Sequence, residues 1–280
     1  MKLYELSDKI SGMLSEAGIA EADLEAFYIL EYVLKINRST YFLKKTEEVS
    51  EEQCVNCIGI AAERGKHRPL QYILGAQEFM GLMFYVDENV LIPRQDTEGL
   101  VEKVLSLTRG TERVLDLCTG SGCIAISLKK HKDTLQVSAV DISSKALQVA
   151  KKNAENLQAD VTFIESDLFD KVTGTFDVIV SNPPYIQSDV IKTLMPEVKD
   201  NEPLLALDGR EDGLYFYRKI IKEAKNYLNT QGILCLEIGY DQGETVAELM
   251  RQQGFEQISV EQDLSGLDRN VYGKIGGNHV

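Results

Sequence analysis

Histidine is scarce in this 280-residue chain, with three in all, and the single C-x-x-C, Cys54 to Cys57, has no second pair. A zinc site therefore lacks ligands. The flanking SEEQCVNCIGIAAERG reads as a helix, so a thioredoxin-like motif lacks its strand, and the two cysteines are expected at buried helix positions. Long apolar runs are also missing: no segment reaches the roughly 18 residues of a membrane span. The start, MKLYELSDKISGMLSEAG, is amphipathic and acidic, without the apolar core of a signal peptide. No membrane association and a cytoplasmic location are expected. Positive charge is short as well, 30 Lys and Arg against 44 Asp and Glu, a formal charge of −14. Such a field repels nucleic acid unless basic residues gather on one face. The one basic cluster, Arg64, Lys66, His67 and Arg68, is small for a phosphate-tracking groove; Arg64, Lys66 and Arg68 read as a solvated helix end, with contact to a partner as the alternative. Internal repeats and low-complexity segments are absent.

What is present falls into two regions. Apolar residues recur at helical spacing over 2–17 (Leu3, Leu6, Ile10, Leu14) and 20–36 (Leu24, Phe27, Leu30, Val33, Leu34). A third helix is expected over 50–64, opened by Ser50 with Glu51 and Glu52 in its first turn. From Glu78 to Ile92 the pattern predicts a hairpin joining two domains: FMGLMFYV, a turn at DEN, then VLI. A helix over 96–107 follows. From residue 112, strands at 114–117, 137–141, 161–167 and 177–182 alternate with helices. A helix over 211–228, a strand at 232–239, a helix from 242, and strands near 256–261 and 269–274 complete the chain. The fold class is α/β: a doubly wound, mostly parallel Rossmann-like sheet preceded by a small helical domain.

The first strand–helix turn reads DLCTGSGCIA from Asp116. Gly120 and Gly122 allow a tight turn and close approach of a ligand, and the next helix offers free N–H groups. GSGCIA satisfies G-x-G-x-x-A, so a nicotinamide dinucleotide is one reading. Asp141, nineteen residues after Gly122 at the end of the second strand, is placed to hold a ribose diol. Asp116 could sit opposite a cationic amine, and Asp167 ends the third strand. Acids at three successive strand ends suit S-adenosylmethionine, which carries an ammonium and a sulfonium but no phosphate, better than a pyrophosphate.

The fourth strand runs into SNPPYI. Two prolines fix their own φ, bias the preceding residue to extended geometry and lack N–H groups, so the segment offers carbonyls as acceptors without competing donors. Asn182 adds a side-chain acceptor, Pro183 and Pro184 rigidity, Tyr185 a flat face. Such a site suits a planar NH2 group, held through both hydrogens by the Asn182 side-chain oxygen and the Pro183 carbonyl.

On these residues the chain resembles class I S-adenosylmethionine-dependent methyltransferases with an N-P-P-Y motif, and among them the HemK family, the glutamine-amide methyltransferases of peptide chain release factors. Matching stretches are DLCTGSGCIAI, SNPPYI, RPLQYILG, EFMGLMFYV, LIPRQDTEGLV, EPLLALDGREDGLYFYRKI, LEIGYDQG and DLSGLDRNVYGK, spread over nearly the full length. Departures are Cys118 and Arg210 where glycine is usual, Gln95 and Asp96 where Pro and Glu are common, and Leu168 at an often aromatic position, which would shift adenine packing partly to Phe169. The resemblance implies that Cys118, Thr119, Gly120, Ser121 and Gly122 line the methionine end of the cofactor, Asp141 its ribose, and Asp167 with Leu168 its adenine. Asn182, also counted at the cofactor, would hold the substrate glutamine with Pro183, Pro184 and Tyr185; catalysis would rest on Asn182, Pro183 and Tyr185. Pro93, Arg94 and Glu98 read either as supports behind the site or as a plain ion pair at the domain junction. Residues 1–75 would form a helical substrate-recognition domain, 76–92 a β-hairpin linker, and 93–280 the methyltransferase domain. The implied partner is a release factor, whose Gly-Gly-Gln supplies the glutamine; no metal, no direct nucleic-acid contact and a monomer are expected. Three other readings stand beside this one: a DNA adenine-N6 methyltransferase acting on a flipped base, against which the missing basic groove counts, an NAD-dependent oxidoreductase, which leaves N-P-P-Y idle, and a non-catalytic binding protein, which would bind without turnover.

Overall fold

The computed structural model describes residues 1–276; the last four residues of the expected 93–280 domain lie outside the described residues. The chain forms two compact units, Met1–Gly75 together with Met195–Asn201, and Ala76–Leu194 together with the chain from Glu202 on.

The first unit contains α1 (Leu3–Glu16), α2 (Ala22–Leu34), α3 (Arg38–Lys44), α4 (Glu51–Arg64) and α5 (Leu70–Leu74). Helical spacing puts Leu3, Leu6, Ile10 and Leu14 of α1 against Ala26, Ile29 and Leu30 of α2 and Cys54, Cys57 and Ala61 of α4. Both cysteines are thus core residues, and burial pushes the Cys57 thiol up to about 11. Ser50 caps α4 by accepting the Gln53 N–H. The short helix α3 was not expected; its signal is Asn37, whose side chain accepts the Thr40 N–H. The basic cluster needs correction: Arg64 is not a solvated helix end but buried, donating to both Glu25 oxygens (2.6 and 3.0 Å) and to Glu197 (3.0 Å). His67 meets the same Glu197 oxygen at 3.0 Å. Lys66 and Arg68 are exposed.

The second unit opens with β1 (Gln77–Phe79) and β2 (Leu82–Phe84), an antiparallel pair. The expected hairpin is real but half as long. Its turn is Met80–Gly81, both at positive φ (53° and 71°), the two-residue form that matches strand twist, and not DEN. Asp87 instead folds the DEN segment on itself, accepting from the Asn89 N–H at 3.0 Å, and VLI is not a strand. Phe79 and Phe84 are buried in the second unit's core, so the hairpin is part of that unit. Then come α6 (Asp96–Leu107), β3 (Arg113–Leu117), α7 (Cys123–His131), β4 (Gln136–Asp141), α8 (Ser144–Leu157), β5 (Val161–Glu165), β6 (Phe176–Ser181) and the single turn α9 (Ser188–Ile191). The chain gives α10 (Pro196–Lys199) to the first unit and returns with α11 (Leu204–Leu207), α12 (Tyr215–Ala224), β7 (Leu228–Glu237), α13 (Gly243–Gln252), β8 (Phe255–Gln262) and β9 (Asp268–Ile275).

Strand order in the sheet is β5-β4-β3-β6-β7-β9-β8; only β9 runs antiparallel to its neighbours. Pleating splits each central strand between two cores. Val114, Val178 and Val180 pack with Leu100, Val104 and Ile124 of α6 and α7, whereas Leu115, Leu117 and Ile179 pack with Ile220 of α12 and Met250 of α13. With both faces covered, the central parallel strands carry apolar residues on both sides, as in VLDL of β3, VIV of β6 and ILCL of β7. The chain winds one way from β3 to β5 and the other way from β6 to β7. That reversal leaves a crevice at the carboxyl ends of β3 and β6, where open α/β sheets bind ligands.

Candidate active site

At the end of β3, Gly120 and Gly122 take positive φ (55° and 81°), and a Cβ on Gly122 would come within 2.8 Å of Ile126 and 3.1 Å of Ala150. Only glycine lets this turn sit on α8. Cys118, standing where the resemblance expects glycine, also has positive φ (60°), as do Arg210 (72°) and Leu168 (45°). Asp141 at the end of β4 holds the turn: one oxygen accepts the Gly120 N–H and the other the Ser143 N–H, both at 2.9 Å. Burial raises the Asp141 carboxyl, against the lowering effect of these N–H groups.

One cavity is lined by Cys118, Gly120, Asp141, Asp167, Leu168, Asn182 and Pro184, seven of the expected site residues. Thr119, Ser121 and Gly122 are buried behind its wall. Thr119 donates to Asp116 at 2.6 Å, and the Ser121 carbonyl accepts from Asn153 at 2.9 Å. Asp116 does not face a ligand amine directly; it lies fully buried under the turn with Oδ1 unpartnered, its carboxyl pushed up to about 7 by burial. Phe169 turns away, stacking on Tyr227 with ring centres 4.6 Å apart. The aromatic residues on the cavity are Tyr215 and Phe216.

Asn182 directs its Nδ2 back to the Thr97 hydroxyl of α6 at 3.2 Å, which leaves Oδ1 as the free acceptor. Pro183 and Pro184 are buried, and Tyr185 packs partly into the core beneath, its hydroxyl pushed up to about 12 by burial. The Tyr185 carbonyl accepts from Gln242 at 3.2 Å, and a Cβ at Gly213 would collide with the same carbonyl. Glu98 serves the hairpin turn, accepting the Met80 N–H at 2.6 Å, and Arg94 pairs with Glu202 at 2.6 Å.

Sequence reasoning missed the wall formed by Asn89–Leu91 and by Pro203, Leu205, Arg210, Phe216 and Lys219. These come from segments of no regular period; their signal is the apolar run PLLAL followed by glycines at 209 and 213. It also missed Glu237, a carboxyl ending an apolar strand.

The cavity's cations are matched by acids: Lys219 lies 3.7 Å from Asp167 and Arg210 3.3 Å from Asp208. With glycine turn, strand-end acid and acceptor loop on one crevice of a doubly wound sheet, the second unit defines a Rossmann-like methyltransferase. A methyltransferase of known structure from Pyrococcus furiosus shares the fold, with a TM-score of 0.54 over 70% of this chain and 90% of its own, at 20% identity. Residues 95–210 match the methyltransferase small domain family, and residues 5–75 the PrmC N-terminal domain family. A Geobacter sulfurreducens protein named release factor glutamine methyltransferase is 44% identical, across 98% of this chain and 97% of its own. A Bacillus cereus protein of the same name is 41% identical, across 98% and 100%. The chain belongs to the release factor glutamine methyltransferase family.

Proposed function

We propose that the chain methylates the side-chain amide nitrogen of the Gly-Gly-Gln glutamine of peptide chain release factors, with S-adenosylmethionine as donor. The single observation carrying this reading is that Gly120 and Asp141 share one cavity with Asn182 and Pro184. A donor held by the first pair is thereby next to an amide held by the second. The residues fit this donor: a carboxylate with spare lone pairs at Asp141 for two ribose hydroxyls, apolar Leu168 and Phe216 for a flat base, and no uncompensated cation calling for phosphate.

When bound, S-adenosylmethionine supplies an electrophilic methyl group on a positive sulfur. Cys118 to Gly122 shape the turn around its methionine end, and Asp167 with Leu168 borders its adenine. At the other side, Asn182 Oδ1 and the Pro183 carbonyl accept the two amide hydrogens. Amide nitrogen is a poor nucleophile because its lone pair is delocalised. Two fixed acceptors favour a pyramidal nitrogen with its lone pair aimed across the cavity, which is preorganisation for the transition state. Pro184 and Gln242, the latter through the Tyr185 carbonyl, hold that loop in place. Holding nitrogen and methyl group in line supplies the proximity contribution. The proton is lost readily once nitrogen is alkylated. Release factors being translation proteins, the enzyme acts in the cytoplasm. It acts as a monomer, since one chain carries both sides of the cavity, and its helical unit, residues 1–75, grips the factor.

The test offers labelled S-adenosylmethionine together with unmethylated release factor, its Gly-Gly-Ala variant, or unmethylated duplex DNA. Label on the wild-type factor alone supports the glutamine reading; label on DNA would replace it with the adenine-N6 reading.

A further inference from the structure

Behind Asn182 lies a carboxyl that the mechanism above does not use. Ser181 pairs with Leu236 across β6 and β7, so Asn182 and Glu237, one step further on, leave neighbouring strands side by side. Alternation puts both on the α6 face: Val178 and Val180 of β6 and Ile233 and Cys235 of β7 all belong to the core beneath that helix. Thr97 is buried in the first turn of α6, on the same side. Asn182 Nδ2 donates to Thr97 Oγ1 at 3.2 Å, and the polar side chains of Thr97 and Asn182 are close enough to the Glu237 carboxyl to lower it, against the larger raising effect of burial. Glu237 is 2% exposed and its Oε2 is unpartnered; so is Oδ1 of Asn270, its cross-strand partner on β9.

Donor and acceptor chemistry gives this chain of contacts a direction. An amide side chain can turn over, exchanging O and NH2, and a hydroxyl can donate or accept; a carboxyl offers an acceptor oxygen in either protonation state and only accepts once ionised. With an ionised Glu237 at the end, a Thr97 hydroxyl that bonds it donates to it and accepts from Asn182, the direction in which Asn182 Nδ2 meets Thr97 Oγ1. The Asn182 NH2 is then held inward and Oδ1 outward. Turned the other way, Asn182 would present NH2 to the NH2 of its substrate, two donors face to face.

We propose that Glu237, acting with Thr97, is a positioning residue that fixes which end of the Asn182 amide faces the substrate. The inference rests on the functional reading above. Glu237→Met keeps length but removes the acceptor, freeing the Thr97 hydroxyl to donate to Asn182 Oδ1 and turn the amide over. Glu237→Gln keeps an oxygen for Thr97 and can direct its NH2 to Asn270 Oδ1.

The experiment measures turnover on release factor, and S-adenosylhomocysteine affinity by calorimetry, for wild type, E237M, N182A, the double variant and E237Q. E237M should lower kcat about 10- to 100-fold, the range typical of losing a group that orients a site residue, while changing the Kd by less than about threefold. In the N182A background it should cost nothing further, and E237Q should restore kcat to within about tenfold of wild type. Turnover of E237M near wild type, or an equal loss with and without Asn182, overturns the proposal. Should E237M fail to fold, the isosteric Thr97→Val takes its place in the same cycle, with Thr97→Ser as its rescue. A wild-type enzyme that leaves the factor unlabelled overturns the functional reading first and this inference with it; a labelling wild type with an unimpaired E237M overturns this inference alone.

Discussion

Replacing Asp141 by Ala tests the donor half of the site. Its two oxygens each accept one backbone N–H, from Gly120 and Ser143, at 2.9 Å, each has a further lone pair, and the residue lines the cavity. A hydrogen bond to a charged group contributes about 1.5–3 kcal/mol net. Two ribose hydroxyls held by Asp141 would contribute up to twice that, but in the variant both can turn to water. The loss of affinity should therefore amount to about one such bond, roughly 10- to 150-fold in Kd. Folding stability should fall less, by about 1–2 kcal/mol, because two N–H groups lose their partner while a carboxyl disfavoured by burial is also removed. Calorimetry with S-adenosylhomocysteine gives the first number and urea denaturation the second. A Kd within twofold of wild type, in a variant that unfolds normally, would refute the ribose assignment and leave Asp141 as a loop tie only.

Three other perturbations address the rest of the molecule. Asn182→Ala should cut kcat by roughly 10²-fold or more, as for one positioned hydrogen-bonding group, with little change in S-adenosylhomocysteine affinity; turnover near wild type in the methyl-transfer assay would remove its acceptor role. Arg64→Ala strands Glu25 and Glu197 in a mostly buried site, and urea denaturation should show a loss of about 3–5 kcal/mol; a loss below about 1 kcal/mol would show that both carboxylates find water instead. The third concerns pH. Burial raises the Glu237 carboxyl from 4.5 to about 7, so across that window the folded chain holds a proton that the unfolded chain has released. Glu237 therefore lowers stability as pH rises from about 4.5 to 7, with no further change above. E237Q, which does not titrate, should gain stability relative to wild type over that interval; parallel stability curves for the two would contradict the raised value.

The glycine turn, the acids Asp141 and Asp167 and the proline pair were legible because each is a local device, whereas Asp116, read into the same row, lies buried under the turn. Backbone geometry requires particular residues at fixed offsets, and the parallel strands between them are apolar on both faces. Where glycine gave way to Cys118 and Arg210, the positive φ persisted, and only the structure reveals that the chain tolerates the strain there. The hairpin was misplaced because DEN is the stronger turn signal by composition, whereas Met80 adopts a left-handed conformation that its residue type does not announce. Arg64 was read as solvated because its partners lie far off in sequence, at 25 and 197, and no local pattern links them. Glu237 is a similar case: a lone carboxyl in LCLEIG is visible, but its meaning depends on the register of β6 with β7 and on α6 lying above.

Residues 195–201 belong to the helical unit although they arise between two elements of the other unit. That routing bears on how relatives could exchange parts. A chimaera cut once, after residue 75, would join a foreign Arg64 environment to a resident Glu197, mixing halves of one ion-pair cluster. Recombination that preserves the cluster has to transfer two separate stretches of coding sequence together. The inheritance of the helical unit is thus bound to that of the sequence a few residues beyond the N-P-P-Y loop, and a change at position 25, 64 or 197 in one lineage should be answered at the other two.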